Sequence, residues 1–417
     1  MNLYRLELKR VCKTRMTAIL LAIALVLAVV MAYLPVTFIG WTELDASGNE
    51  VRYTGLKAIR KRQEQQVSGT ITPDVMQEAL EAYQRVYRQY DANSINDIPV
   101  EVFYKELARY QPLVNNAKEA FADSKTGMAP GVMGLTAEDM QNFYSQLPKR
   151  LESVIWLEQS GKPGYEQAQA IAQKKFDAVQ KPFTYSFGVS SDAMDYQTLL
   201  SLLLTLLCAV IAAPVFASDA QTGAQDIQLC TKNGGLRLAA AKLAAAFSIT
   251  GAAYLLCGVV WILVTNALFG WESTKTSVQW LFSVTSLLPY TVGQMEWVML
   301  VANFLIFFAE VAFVLMASVW AKNNLTALSV ALISVVAPLI VYMVVPGSFG
   351  EWLSTLLPAG GIGLSNALLY KMISFDFLYA GRHAFFQADV LLASAPVKIV
   401  LLVGLAAWGY LRKTKVA

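Results

Sequence analysis

Residues 17–39 read TAILLAIALVLAVVMAYLPVTFI, 23 residues without a charge. A helix rises about 1.5 Å per residue, so about 20 apolar residues cross the roughly 30 Å hydrocarbon core of a bilayer. The run reads as a membrane span. A signal peptide shares its basic start, but this apolar core is too long for one and no small-residue cleavage site follows. Five further runs have the same character: Tyr196 to Ala217, Leu243 to Leu268, Trp297 to Trp320, Leu325 to Val345 and Val390 to Tyr410. Tryptophans bracket the fourth run, as interfacial anchoring favours. Its one charge is Glu310, and the last run carries Lys398 within snorkelling reach of an interface.

Composition agrees. Of 417 residues, 56% are apolar and 15% charged, where soluble chains carry about 25% charged residues. A soluble multidomain enzyme is thereby excluded. Four cysteines cannot staple a secreted scaffold of this length, and the single histidine, His383, removes most zinc sites and every dyad of two histidines. No catalytic set and no metal site emerge.

Loop charge sets the expected orientation. Before the first run stand Arg5, Lys9, Arg10, Lys13 and Arg15 against Glu7, and Arg412, Lys413 and Lys415 follow the last run without an acid. The positive-inside rule puts both termini in the cytoplasm, which requires an even number of spans. Six satisfies it, with Lys232, Arg237 and Lys322 on the inner side. The expected fold is an all-α polytopic membrane protein with six transmembrane helices and a large helical extracellular domain between the first two.

That domain, residues 41–195, carries 17 Lys+Arg against 21 Asp+Glu and no cysteine. Apolar and aromatic residues recur at helical spacing over 74–90, 100–122, 137–160 and 165–179, with helix starts at Thr72-Pro73-Asp74 and Thr136-Ala137-Glu138-Asp139. Breaks fall at 127–134 and 161–164. Tyr83, Tyr87 and Tyr90 share one face. They read as the buried stripe of a bundle helix in preference to an aromatic binding face.

The remaining intramembrane polar groups leave their roles open. Glu310 sits mid-span with Asn303 at i−7, on a tentative substrate pathway. An ionisable group at that depth contacts a polar or cationic substrate, carries a proton, or is a hydrogen-bonded packing residue. No second acid lies inside any of the six runs, so paired-carboxylate chemistry finds no partner there. Pro214, Pro338 and Pro396 read as kinks. His383, beside Arg382, reads as an exposed or interfacial residue.

No G-x-x-x-x-G-K-[ST] occurs in the chain, so a phosphate-binding loop is absent and any ATP hydrolysis belongs to a separate subunit. Coupling to such a motor needs a short helical protrusion fixed at both ends to spans. Residues 218–237 are the candidate, with residues 1–16 as an amphipathic neighbour. The segment runs Phe216-Ala-Ser-Asp219 to Gly223, then Asp226-Ile-Gln-Leu229, then Thr231-Lys-Asn-Gly-Gly-Leu-Arg237, and Lys242 beyond. Here the chain resembles the permease subunits of ABC-2-type bacterial exporters. In that family the second span runs into an acid, a glycine four residues later, a short helix and a Gly…Arg…Lys approach to the third. This chain has Asp219 where glutamate is commoner, and Gly235 and Arg237 are not adjacent.

The resemblance covers the spans and loops, about 260 residues, and not the domain at 41–195. It implies ATPase coupling through Asp219, Gly223, Asp226, Leu229, Lys232 and Arg237. It also implies an ABC ATPase partner holding ATP and Mg, with no cofactor in this chain, and a homodimer or paired permease in the lipid bilayer. A peptide, a lipid or an amphipathic drug is the implied cargo, and nucleic acid is not a partner. Segment 347–389, rich in short apolar stretches, is expected to form extracellular or re-entrant helices. The expected location is a bacterial cell (cytoplasmic) membrane, of Gram-positive type. Two rivals stand beside this reading: a subunit that transmits ATPase-driven force across the envelope, and a membrane sensor whose domain binds an extracellular partner or an antimicrobial peptide.

Overall fold

The computed structural model describes residues 3–45 and 49–414; Lys415 of the basic tail and the first two residues of the amphipathic segment lie outside them. The chain is mostly helical, with three two-stranded antiparallel sheets among the described residues. Six helices are long and apolar enough to cross a membrane.

The chain opens with α1 (Leu3–Cys12) and turns directly into the first apolar helix, α2 (Arg15–Thr37). The polar domain follows. Strands β1 (Gly40–Leu44) and β2 (Glu50–Thr54) pair as a hairpin, and α3 (Leu56–Gln65) comes next. A short strand β3 (Gly69–Thr70) precedes α4 (Pro73–Gln89), which starts where Thr72 accepts from the Val75 amide with Pro73 in the first turn. The domain core is completed by α5 (Gln111–Ala120), α6 (Phe143–Gln159) and α7 (Tyr165–Asp177). Tyr83 and Tyr87 are buried in it, as the stripe reading expected, whereas Tyr90 is exposed. Strand β4 (Thr184–Tyr185) returns to pair with β3 and leads into the second apolar helix, α8 (Ser191–Ala212).

Pro214 ends α8 and starts α9 (Pro214–Gln221). Proline lacks an N–H, and the first amides of a helix have no partner within it. Ser318 from a neighbouring helix meets this need: its Oγ accepts from the Phe216 and Ala217 amides and donates to the Ala213 carbonyl, 2.6 Å away. After α10 (Ala224–Leu229) the chain enters α11 (Leu236–Phe269), α12 (Val292–Trp320) and α13 (Asn324–Val344). Each outlasts or nearly matches its apolar run. The helix α12 extends five residues upstream of Trp297, because Thr291 and Gln294 form a capping box there.

Segment 347–389 forms α14 (Gly347–Leu356), α15 (Leu368–Ile373) and a hairpin of β5 (Phe377–Ala380) and β6 (His383–Phe386). The hairpin corrects the expectation of helices alone: alternating buried and exposed residues along His383–Phe386 suit a strand with one covered face. His383 is on the exposed side. The last apolar helix is α16 (Gln387–Thr414).

The apolar helices are not equivalent. Two-thirds of the apolar window of α12 is buried (67%), against 17% for that of α16. Helix α12 is central, touching α8, α11, α13 and α16, while α2 packs on α8 and α11. Gly258 of α11 permits one of these approaches, since a Cβ there would stand 2.3 Å from Leu300 Cδ1. Several polar bonds hold the domain against the ends of the apolar helices. Gln63 Nε2 donates to the Phe269 carbonyl at 2.5 Å, Gln159 Nε2 to the Phe375 carbonyl at 2.8 Å, and Glu119 accepts from Ser283 and the Val284 amide.

Candidate functional site

At the end of the bundle away from the polar domain, α1, α9 and α11 meet around four charges. Lys242 Nζ lies 2.5 Å from Asp219 Oδ2 and 3.4 Å from Glu7 Oε1. Arg10 donates to both Asp219 oxygens, at 2.9 and 3.0 Å, to the Val215 carbonyl at 3.0 Å, and pairs with Glu7 at 3.0 Å. The Lys242 side chain is fully buried, and Glu7 and Asp219 are nearly so. Two acids and two bases leave the group neutral. Burying such charges is costly unless every one is paired, and here each is.

The group forms because of where each element turns. The capping by Ser318 aims α9 so that Asp219 faces inward. Nearly two turns into α11, Lys242 occupies a position on its buried face, and Glu7 and Arg10 stand at i, i+3 on α1. The N-terminal helix, the loop and the third apolar helix are thus fastened through one carboxylate.

The six residues assigned to coupling therefore divide. Asp219 is buried and acts as an anchor. Gly223 has φ +72° and makes the turn between α9 and α10, a conformation that glycine adopts without strain. Asp226 lies in the first turn of α10 and is exposed, Leu229 is half-buried, and Lys232 and Arg237 are exposed, the latter donating to Asn233 at 3.4 Å. Gly234 is required by a close approach: a Cβ there would stand 1.8 Å from the Gln228 carbonyl oxygen. A cleft of about 640 Å³ opens beside this turn, with Asp226, Leu229, Trp320 and Arg412 in its wall.

Glu310 and Asn303 occupy one face of α12, about 10 Å apart by helical rise, and both are buried. Ser334 of α13 donates to Glu310 Oε1, so the carboxyl has a protein partner, while Oε2 has none. Lys398 of α16 reaches the carbonyls of Thr355 and Leu357, at 3.1 and 3.0 Å, at the end of α14.

The sequence reading missed a second buried acid. The extended start of α12 brings Glu296 into the helix, fully buried, where Asn266 Nδ2 donates to its Oε2 at 2.6 Å and Gln197 Nε2 to its carbonyl at 2.9 Å. Glu296 stands next to Trp297, just outside the apolar run. The capping pattern Thr291-x-x-Gln294 was the available signal that the helix begins earlier. Glu7, Arg10 and Lys242 were also not assigned to a site.

All four cysteines are free, with Cys12 and Cys230 exposed and Cys208 and Cys257 buried. No group of three or more His, Cys, Asp or Glu among the described residues is placed to hold a metal ion. No family model matches the chain, and no curated protein matches it significantly.

Proposed function

We propose that this chain is the membrane-spanning subunit of an ABC-2-type exporter, driven by a separate ATPase that holds ATP and Mg. Both termini and residues 218–237 then face the cytoplasm, and the polar domain lies outside. The observation that carries the reading is the anchoring of Asp219 by Arg10 and Lys242. A motor that displaces α10 pulls on α9, α1 and α11 together, so a push at the loop becomes a movement of spans. A bistable helix bundle biased by nucleotide-dependent docking is a population shift of the ordinary kind. The exposed residues Asp226, Lys232 and Arg237 offer the motor a mixed-charge docking edge. Two copies, or one copy and a related permease, would form the pathway for a peptide, lipid or amphipathic drug.

Affinity purification of the full-length chain from its native membrane in mild detergent tests this. An ATPase subunit is expected at near-equal stoichiometry, lost when residues 219–237 are replaced by a Gly/Ser linker. A monodisperse chain that brings down no ATPase would overturn the proposal. The polar domain would then become the active part, as a sensor.

A further inference from the structure

The junction between the polar domain and the apolar helices holds a cavity of about 410 Å³. Arg62, in the last turn of α3, lines it. Its guanidinium lies over the rings of Trp41 and Phe187, 5.9 and 5.0 Å from their centroids. Its Nε is buried without a hydrogen-bond partner, and no carboxylate among the described residues pairs with it. Burial lowers its pKa, while Tyr185 and Tyr104 act in the opposite sense. Two ring faces compensate part of the desolvation of a cation, but they offer its buried Nε–H no acceptor. A half-buried, unpaired guanidinium at an open cavity lacks a counter-charge.

The rest of the wall is suited to supply an anion with donors. Gln111 and Asn115 present amides, and Ser190 and Ser191 bring hydroxyls at the start of α8, where Ser190 Oγ already accepts from the Ala193 amide and Asp192 places a carboxylate in the first turn. Glu119 also lines the cavity, but its carboxylate is already engaged by Ser283 and the Val284 amide. Leu281, Phe282 and Trp280 add apolar surface to the wall.

We infer that this cavity binds an anionic group, a phosphate or carboxylate, which pairs with Arg62 while an attached apolar chain lies along Trp280 and Phe282. Such a ligand is an amphiphile headgroup or a free small anion. The site stands on the cavity alone and does not depend on an ATPase partner.

The test is isothermal titration of the purified full-length protein, in neutral maltoside detergent, with three probes: octyl phosphate, inorganic phosphate and octyl glucoside. Octyl phosphate is expected to bind with saturation, and octyl glucoside not to. A charge-assisted pair is worth about 1.5–3 kcal/mol, so Arg62→Gln should weaken binding roughly ten-fold or more. Asn115→Trp, at an exposed position on the rim, should block the cavity with Arg62 intact. Arg85→Gln, at an exposed pair elsewhere on the domain, should change nothing. Binding of inorganic phosphate with the same Arg62 dependence identifies a free anion as sufficient; binding of octyl phosphate alone identifies an amphiphile. The inference is overturned if no anionic probe binds, if octyl glucoside binds as well as octyl phosphate, or if Asn115→Trp leaves binding unchanged. The last readout decides the matter even where Arg62→Gln fails to fold.

Discussion

Replacing Asp219 by asparagine removes one negative charge from a neutral buried group and leaves Lys242 and Arg10 sharing Glu7. Breaking a buried pair in this way costs about 3–5 kcal/mol. Asp219→Asn should therefore lower the thermal midpoint of the detergent-purified protein strongly, and Lys242→Met should do the same. The double variant Asp219→Asn with Lys242→Met should lose less than the sum of the two, because no lone charge from that pair stays buried. Additive losses would show that the two side chains do not interact. A milder effect belongs to Asp97, an exposed carboxylate held below its usual range by the amides of Ser94 and Asn93. A depressed carboxyl pKa stabilises the folded turn above the unfolded value, about 3.9, and that contribution is lost as pH falls through the lowered folded value. Hydrogen exchange, corrected for intrinsic rates, should show the protection of these two amides fading only in acid. Asp97→Asn should remove that pH dependence.

Among the elements, the turn from α10 to α11 leaves no room for a side chain at Gly234. Gly234→Ala would drive a methyl into the Gln228 backbone, and a carbonyl oxygen at 1.8 Å cannot rotate away as a side chain does. The expected outcome is a loosened turn within an otherwise intact bundle, seen as faster proteolysis over residues 229–236 with a small change in thermal midpoint. If the proposed coupling holds, the same variant should recover less ATPase on purification. By contrast, a change at Gly223 is local strain in a residue with open space around it, and Gly223→Asn should be tolerated.

The bundle and the polar domain are bound to each other by long-range polar bonds, and Gln159 is central among them. It donates to the Phe375 carbonyl and accepts from Tyr379 at 2.8 Å, both across more than 200 residues. Gln159→Ala leaves two buried groups unpaired, at about 1–3 kcal/mol each, and should raise hydrogen exchange along β5 more than in α12. The proposed topology has its own test. Exposed Cys12 and Cys230 should react with a membrane-impermeant maleimide only after the cells are permeabilised, while Thr126→Cys in the polar domain should react in intact cells. The opposite pattern would invert the orientation.

Six apolar runs could be read as helices because crossing a bilayer requires a property carried by consecutive residues, and 23 uncharged residues leave few alternatives. The tyrosine stripe and the helix starts at Thr72 and Thr136 were legible for the same reason: period and capping act within a few residues. The group around Asp219 was not. Its partner Arg10 is 209 residues away, and nothing along the chain pairs them until α1 lies against α11. Glu296 escaped notice because apolarity ends at Trp297 while the helix is extended upstream by its cap. The surroundings of Arg62 likewise arise only when distant elements meet, whereas the hairpin within 347–389 is local, its strands joined by Gly381 and Arg382 alone. Local patterns settle which segments are helical and apolar, whereas the partner of a buried charge is chosen by packing, where desolvation makes an unpaired group costly.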